Sequence, residues 1–205
     1  MYNRPHFTEN NEENVFEFME KNSFALITGY DGNAPVATHV PLDIKKDKSR
    51  TTLTGHMMKN TDHHKAFIQN ENVLAIFPGP HCYVSASWYT KKDVASTWNY
   101  MEVHARGKIK FTDEEETKKI IEGITDRYEG KESEAAFNKL PGEYVDRLVK
   151  AIIGFTIEVS SIENVFKLSQ NHEVETKKSI IKHLQDRTDE GSHLIALEMQ
   201  KRLND

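Results

Sequence analysis

The pattern of apolar and polar residues along the chain predicts a protein built mainly from β-strands. Apolar and polar positions alternate in several segments, as they do in strands that bury one face. Two such segments flank Asp31-Gly32-Asn33, and because glycine and asparagine tolerate positive φ, this turn predicts a β-hairpin. Further predicted strands are "TTLTGH", "NVLAIFPG", "HCYVSASWY", residues 97–111 and "IIGFTIEVSSIENVFKLSQN". The prolines at positions 78 and 80 predict a bend or bulge between two of these strands.

Helical spacing of apolar residues predicts helices in the remaining segments. In "TDEEETKKIIEGITDRYEG", Thr112 and Glu115 form a predicted capping box, and Gly130 is the predicted end of the helix. The other predicted helices cover residues 10–21, a short stretch capped at Asn60 or Thr61, residues 142–150, and two stretches after Thr176 that the "DEGS" turn separates.

Antiparallel strands joined by hairpins and covered by a few helices predict an α+β fold. A β-barrel or other closed sheet is expected because closure removes exposed strand edges. No repeat and no low-complexity linker interrupts this pattern. We therefore expect one domain over residues 1–172 and a helical C-terminal extension over residues 173–205.

The predicted strand "TWNYMEVHARGK" has two unlike faces. Because side chains alternate along a strand, small and mostly apolar residues share one face, while aromatic and ionisable residues share the other. The first face consists of Asn99, Met101, Val103 and Ala105, and the second of Trp98, Tyr100, Glu102, His104 and Arg106. A solvent-facing strand rarely carries such large aromatic side chains, so we expect this face to be covered by a loop or by a second subunit.

The composition limits the classes of function. The net charge of -5 disfavours a broad nucleic-acid surface, although Lys177, Lys178 and Lys182 form a local basic patch. The one cysteine, Cys82, excludes an internal disulfide and a cysteine-based metal cluster. No apolar run approaches the roughly 20 residues of a membrane span, and the first residues do not resemble a signal peptide. The expected location is therefore the cytoplasm, with no membrane partner.

The histidines do not form a predicted metal site. Six of the ten, namely His39, His56, His63, His64, His81 and His104, lie in the predicted barrel. No pair of them has the four-residue spacing of ligands on one helix face, and no carboxylate completes a ligand pattern. Nucleophile elbows, Walker loops, dinucleotide-binding glycine motifs and zinc-protease helices are also absent from the sequence. We therefore predict no metal and assign no catalytic residue.

Two short segments carry groups suited to a phosphate or a heterocycle. "LTGHMMKN" places Lys59 and Asn60 before a predicted helix, where free N–H groups and a cation attract an anion. "FKLSQN" ends the last predicted strand with a cation, a hydroxyl and two amides. Either segment is also compatible with an ordinary polar turn.

Taken together, "GHMMKN", "FPGPHCYVSASWY", "TWNYMEVHARGK" and "FKLSQN" resemble the PaiB-type family of FMN-binding negative transcriptional regulators. The resemblance covers about residues 1–172. It implies a split β-barrel like that of pyridoxamine-phosphate oxidases, in which two subunits pair and each flavin lies between them. The second face of residues 97–108 would then look onto a partner subunit and FMN.

The resemblance also implies a set of FMN contacts. The segments "THVPL" and "LTGHMMKN" would supply strand backbone and phosphate contacts, and the later segments would approach from around the subunit interface. The implied residues are His39, Pro41, Thr54, Gly55, His56, Lys59, Asn60, Trp98, Asn99, Lys167 and Gln170.

Three functions remain open at this point. The family name implies a repressor of transcription, and DNA as a partner rests on that name alone. A flavin-dependent oxidoreductase that uses NADH or NADPH is the alternative enzyme, since the cofactor itself can carry the chemistry. The third function is a flavin- or haem-binding module without turnover.

Overall fold

The computed structural model describes residues 1–2, 4–47 and 50–203. These residues form two compact units, and neither unit is continuous in sequence. The first unit contains Met1–Phe18, Pro78–Val103 and Glu163–Asp205, and the second contains Met19–Phe77 and His104–Ile162. The expected boundary between residues 172 and 173 stays a prediction. The helical tail belongs to the first unit together with the two earlier segments of that unit.

The described residues form seven strands and six α-helices. The strands are β1 (Phe24–Tyr30), β2 (Pro35–Pro41), β3 (Asp43–Asp47), β4 (Arg50–Met58), β5 (Asn72–Val84), β6 (Thr97–Phe111) and β7 (Ile152–Lys167). The helices are α1 (Glu12–Lys21), α2 (Asp62–Gln69), α3 (Glu114–Glu129), α4 (Gly142–Ala151), α5 (Val174–Gln185) and α6 (Glu190–Lys201). None of the helices that the structure describes has the length and apolar character needed to cross a membrane.

The strands form one sheet in the order β2-β1-β5-β6-β7-β4-β3. The pairs β1–β2, β1–β5, β3–β4 and β4–β7 are antiparallel. Within the second unit, β2 and β3 are the two edge strands, yet only Leu42 separates them in the chain. The edges of a flat sheet of this width would lie roughly 29 Å apart. One residue cannot span that distance, so the sheet curls, and the predicted α+β fold with a closed sheet is confirmed.

The two predicted faces of β6 are confirmed. Asn99, Val103 and Ala105 have no exposed surface, and Met101 is 4% exposed. On the opposite face, Trp98 is 53% exposed. The period of two is a local property of extended backbone, which explains why the sequence pattern predicted these faces.

The predicted division into two strands at Pro78-Gly79-Pro80 was wrong, while the predicted bend or bulge there stays a prediction. β5 continues from Asn72 to Val84 as a single strand. Its register with β1 covers Leu74 to Ile76 and therefore ends before the prolines. A proline beyond the paired stretch removes no hydrogen bond to that neighbour, so the strand can continue through it.

The predicted capping box of α3 was also wrong by one residue. The carboxylate of Asp113 caps the helix by accepting a hydrogen bond of 2.8 Å from the Glu116 N–H. The Thr112 N–H instead donates to the Gly154 carbonyl at 2.9 Å, which holds Thr112 at the end of β6. The predicted end at Gly130 is confirmed, with φ at 77°.

The remaining predicted helices are confirmed, with small changes at their ends. Thr61 caps α2 by accepting a hydrogen bond from the His64 N–H at 3.3 Å. The turn between α5 and α6 ends one residue into "DEGS", because Asp189 caps α6 by accepting from the Ser192 N–H at 2.9 Å.

Candidate functional site

The predicted FMN contacts divide between the two units. The second-unit set consists of His39, Pro41, Thr54, Gly55, His56, Lys59 and Asn60. The first-unit set consists of Trp98, Asn99, Lys167 and Gln170. Each set is described within its own unit.

In the second unit, β4 presents polar side chains on one face. Thr54 and His56 are partly exposed, and they alternate with Leu53, Gly55 and Met57, which are buried. Because alternate residues of a strand share a face, the hydroxyl of Thr54 and the imidazole of His56 lie on the same side of β4. Both residues are among the FMN contacts that the family resemblance implies.

Gly55 is required by the close approach of neighbouring strands. A Cβ added at this position would lie 2.8 Å from the Phe155 ring and 3.0 Å from the Pro41 carbonyl oxygen. The structure therefore brings the end of β2, which carries Pro41, next to β4. Because Gly55 has no side chain, the two strands can lie this close together.

His56 has an unsatisfied polar atom. Its Nδ1 is buried and has no hydrogen-bond partner among the described residues. Burial lowers the pKa of His56 below its usual value, so the neutral ring is favoured. A buried polar atom without a partner costs free energy, and a polar ligand or a water could remove that cost.

Lys59 joins the end of β4 to α4. Its N–H donates to the Ala151 carbonyl at 2.9 Å, and its Nζ donates to the Val149 carbonyl at 3.0 Å. Carbonyls in the last turn of a helix lack partners within the helix and carry partial negative charge. Lys59 therefore caps α4, a role that the sequence analysis did not foresee.

Asn60 adopts a left-handed conformation with φ at 66°. Its N–H donates to Nδ1 of His64 at 3.0 Å, so that nitrogen must be unprotonated. His64 is 7% exposed, and its ring packs edge-on against Phe111 at 4.9 Å between centroids. Burial, and next the neighbouring charge of His63, lower the pKa of His64. His64 thus stabilises the turn after Lys59. The sequence pattern did not predict this role, because it considered His63 and His64 only as possible metal ligands.

In the first unit, Lys167 is held by the beginning of β6. Its Nζ donates to the Trp98 carbonyl at 2.7 Å and to the hydroxyl of Thr97. The ammonium also lies 5.9 Å from the centre of the Phe7 ring. Burial lowers the pKa of Lys167. The charge is therefore partly satisfied within the unit.

Asn99 and Gln170 are also bonded within the first unit. The Asn99 amide donates to the Ser169 hydroxyl at 3.0 Å and accepts from it at 3.1 Å. The Gln170 Oε1 accepts from the Leu168 N–H at 2.7 Å, and its Nε2 donates to the Phe166 carbonyl. Both side chains fasten the chain at the end of β7.

An exposed aromatic group surrounds Trp98. The Trp98 ring centre lies 6.0 Å from that of Tyr83 and 6.1 Å from that of His81. Tyr83 is 42% exposed. We call Tyr83, Trp98, His81 and Tyr100 the aromatic patch, and a cavity of about 260 Å³ adjoins it. Alternation along residues 97–108 predicted that Trp98 and Tyr100 share a face, but no local pattern indicated that His81 and Tyr83 of β5 lie beside them.

A second, larger cavity lies across β1, β5, β6 and β7 of the second unit. Its volume is about 660 Å³, and residues 28–30, 72–74, 106–108 and 158–160 line it. None of the predicted FMN contacts is among these lining residues. Within the described part of the chain, no three His, Cys, Asp or Glu side chains group together as metal ligands.

The second-unit set fits the polar end of FMN. A flavin phosphate accepts hydrogen bonds and is attracted by cations, and this set offers a hydroxyl, an imidazole and an ammonium. The unsatisfied Nδ1 of His56 indicates incomplete bonding in the protein alone. The residues present are therefore compatible with this cofactor.

Solved structures of similar fold include two flavin-binding proteins. The FAD and heme binding protein from Mycobacterium smegmatis has a TM-score of 0.56 and 10% identity, with 78% of this chain and 73% of that chain covered. The flavocytochrome Anf3 from Azotobacter vinelandii has a TM-score of 0.55 and 11% identity, with 78% and 69% covered. Such low identity shows the fold alone, and the predicted split β-barrel is confirmed.

Sequence comparisons show the family. A protein of Bacillus subtilis (strain 168), "Protease synthase and sporulation protein PAI 2", is 31% identical over 204 residues, with 99% of this chain and 98% of that protein covered. The sequence model of the family "Putative FMN-binding domain" matches residues 1–161 and supports FMN as the cofactor. The family model and this relative agree, and the chain belongs to this family of PaiB-type FMN-binding proteins.

Proposed function

We propose that this chain is a homodimeric FMN-binding repressor of transcription. The observation that carries the proposal is the similarity, over 99% of this chain, to "Protease synthase and sporulation protein PAI 2", together with the repressor function that the family resemblance implies. Bound FMN supplies redox chemistry through its ring. The residues of this chain bind and orient it.

The second-unit set holds the phosphate in this proposal. The hydroxyl of Thr54 and the imidazole of His56 offer hydrogen bonds, and Lys59 offers a cation. An ammonium group has three N–H donors, and only one is used for Val149 among the described residues. Lys59 can therefore cap α4 and contact a phosphate at the same time. His39, Pro41, Gly55 and Asn60 shape the surrounding backbone.

Trp98, Lys167 and Gln170 of the first-unit set are the candidates for contacts with the flavin ring in this proposal, whereas Asn99 is fully buried. The exposed indole of Trp98 offers a surface on which a planar heterocycle can stack. Lys167 and Gln170 lie at the end of β7, and Lys167 is hydrogen-bonded to the backbone of Trp98. These groups suit the hydrogen-bonding edges of a flavin.

A second copy of the chain covers the aromatic patch in this proposal. The exposed rings of Tyr83 and Trp98 are the kind of side chains that subunit interfaces favour. A specific contact buries about 1,000 Å² or more. We expect a dimer at micromolar concentration by sedimentation. We also expect Trp98→Glu to give monomers, while Tyr144→Glu, which changes an exposed tyrosine of the second unit, does not. A folded monomer of the parent protein would contradict the homodimer.

Repression of transcription requires that the protein binds DNA. The described basic side chains of α5 are partly engaged, because Lys178 forms an ion pair with Glu175 at 3.4 Å and Lys177 donates to the Leu203 carbonyl at 3.5 Å. A repressor should select particular sequences from a pool of genomic fragments, with an affinity that falls as salt rises. Selection of no sequence by the FMN-loaded dimer would contradict repression.

An oxidoreductase is the second candidate, because the fold binds a redox cofactor. Anaerobic mixing of the FMN-loaded protein with NADH or NADPH tests it by the loss of flavin absorbance. Rapid reduction without selective DNA binding favours the enzyme. Absence of both activities favours a binding module, and a Soret band in the purified protein would replace flavin with haem.

A further inference from the structure

A buried polar pair connects β6 to the end of β7 in the first unit. Asn99 has no exposed surface and Ser169 is 2% exposed. The hydroxyl of Ser169 accepts from the Asn99 amide at 3.0 Å and donates to it at 3.1 Å. The same amide approaches the sulfur of Met199 at 3.5 Å. Buried polar groups are tolerated when they are bonded in this way.

Ser169 has an uncommon backbone conformation. Its φ is 62°, in the left-handed region that side chains other than glycine rarely adopt. Such a conformation persists where the surroundings determine it. The two hydrogen bonds to Asn99 hold Ser169 in this conformation, and they thereby fix the direction of the backbone between Lys167 and Gln170.

The exposed side of the same two segments carries a second connection. Lys167 donates to the Trp98 carbonyl and to the Thr97 hydroxyl, so it fastens the residues just before Asn99. The buried pair and the exposed lysine thus hold the beginning of β6 to the end of β7. Trp98 and Lys167 are placed by this double connection.

We infer that Asn99 and Ser169 are positioning residues that orient Trp98 and Lys167 toward a planar heterocyclic ligand, while making no contact with the ligand themselves. The inference deepens the proposed function and rests on it for the identity of the ligand as a flavin. Asn99 has no exposed atoms with which to touch a ligand. It therefore acts through its neighbours.

Ser169→Gly separates positioning from stability. Glycine adopts φ of 62° without strain, so the substitution removes the hydroxyl and relieves the backbone at the same time. Thr117→Val is the matched control, because it removes another buried hydroxyl, which accepts from the Gly154 N–H at 2.9 Å in the second unit. Both variants are made in a Trp88→Phe background, which leaves Trp98 as the one tryptophan of the chain.

Two measurements test the inference. The first is acrylamide quenching of Trp98 fluorescence in the ligand-free protein, which we expect to increase in Ser169→Gly and to stay unchanged in Thr117→Val. The second is titration with FMN and with riboflavin. We expect Ser169→Gly to weaken the binding of both flavins by about tenfold, because a misplaced Trp98 or Lys167 loses a contact worth about 1.4 kcal/mol. We expect Thr117→Val to leave both affinities within about twofold, because Thr117 shares no hydrogen bond with this pair.

The outcomes distinguish this inference from the proposed function. Unchanged quenching in Ser169→Gly overturns the inference, whether or not the parent binds flavin. Changed quenching with unchanged flavin affinity also overturns it. If the parent binds neither flavin, the proposed function fails, and the quenching result alone then decides whether the pair positions Trp98.

Discussion

The two sets of predicted FMN contacts differ in how far the protein satisfies them. In the first unit, Asn99, Lys167 and Gln170 are bonded to groups of the same unit. In the second unit, His56 keeps a buried nitrogen without a partner among the described residues, and Lys59 uses one of its three donors. The first set is therefore held in place by hydrogen bonds within its own unit, which suits residues that would orient a flavin ring. The second set retains polar groups without partners among the described residues, and the proposed phosphate contact would use them.

The largest expected effect concerns Gly55, which belongs to the second-unit set for a steric reason. Gly55→Ala should destabilise the protein by about 1–3 kcal/mol, because the added Cβ forces β2 and Phe155 away. Urea unfolding measures the loss. Gly123→Ala is the control, since a Cβ there meets nothing within 4 Å and should stabilise α3. Equal stability of Gly55→Ala and the parent would remove the steric role.

Lys59→Ala should weaken FMN binding by about tenfold, or about 1.4 kcal/mol, and weaken riboflavin binding much less. Riboflavin has no phosphate, so only the FMN contact is lost. Flavin fluorescence titration measures both affinities. Lys65→Ala removes an exposed cation of α2 and should change neither. Equal losses for both flavins would mean that Lys59 acts only as the cap of α4, and the phosphate site would then be sought at Lys167.

Lys167→Met should weaken the binding of FMN and the binding of riboflavin to the same extent, by about threefold. The substitution removes the bonds to Trp98 and Thr97 but keeps most of the apolar stem. Equal losses for FMN and riboflavin are expected because the first unit is assigned the flavin ring, which both ligands share. A loss specific to FMN would place the phosphate contact in the first unit and reverse the assignment.

The smallest expected effect is a dependence of stability on pH. Burial lowers the pKa of His64 in the folded protein below the usual value of 6.5. The unfolded chain then binds more protons below pH 6.5, so this contribution to stability is complete above that pH and is lost as the pH falls. Each proton corresponds to at most about 1.4 kcal/mol per pH unit.

His56 and His172 have pKa values lowered by burial in the same direction, so both units contribute to the acid loss. His64→Gln should reduce the slope of unfolding free energy against pH between about pH 5 and 6.5. An unchanged slope in His64→Gln would mean that folding does not lower the pKa of His64.

Local patterns in the sequence determined much of the fold. The alternation along residues 97–111 predicted both faces of β6, and Asp31-Gly32-Asn33 predicted the β1–β2 hairpin. These features depend on neighbouring residues, because the strand period and the turn conformation are properties of a few consecutive dihedral angles. The sequence motifs shared with the PaiB-type family predicted the cofactor. This prediction depends on common descent over the matched residues and not on local backbone conformation.

Only the tertiary structure decided how the candidate site residues are used. Lys59 meets the Val149 carbonyl across 90 positions of sequence, and Asn99 meets Ser169 across 70. No local pattern reports such a pairing, because it depends on which strands and helices the whole chain brings together. The same reason explains the uninterrupted β5, since a proline is tolerated or not according to the strand that lies beside it.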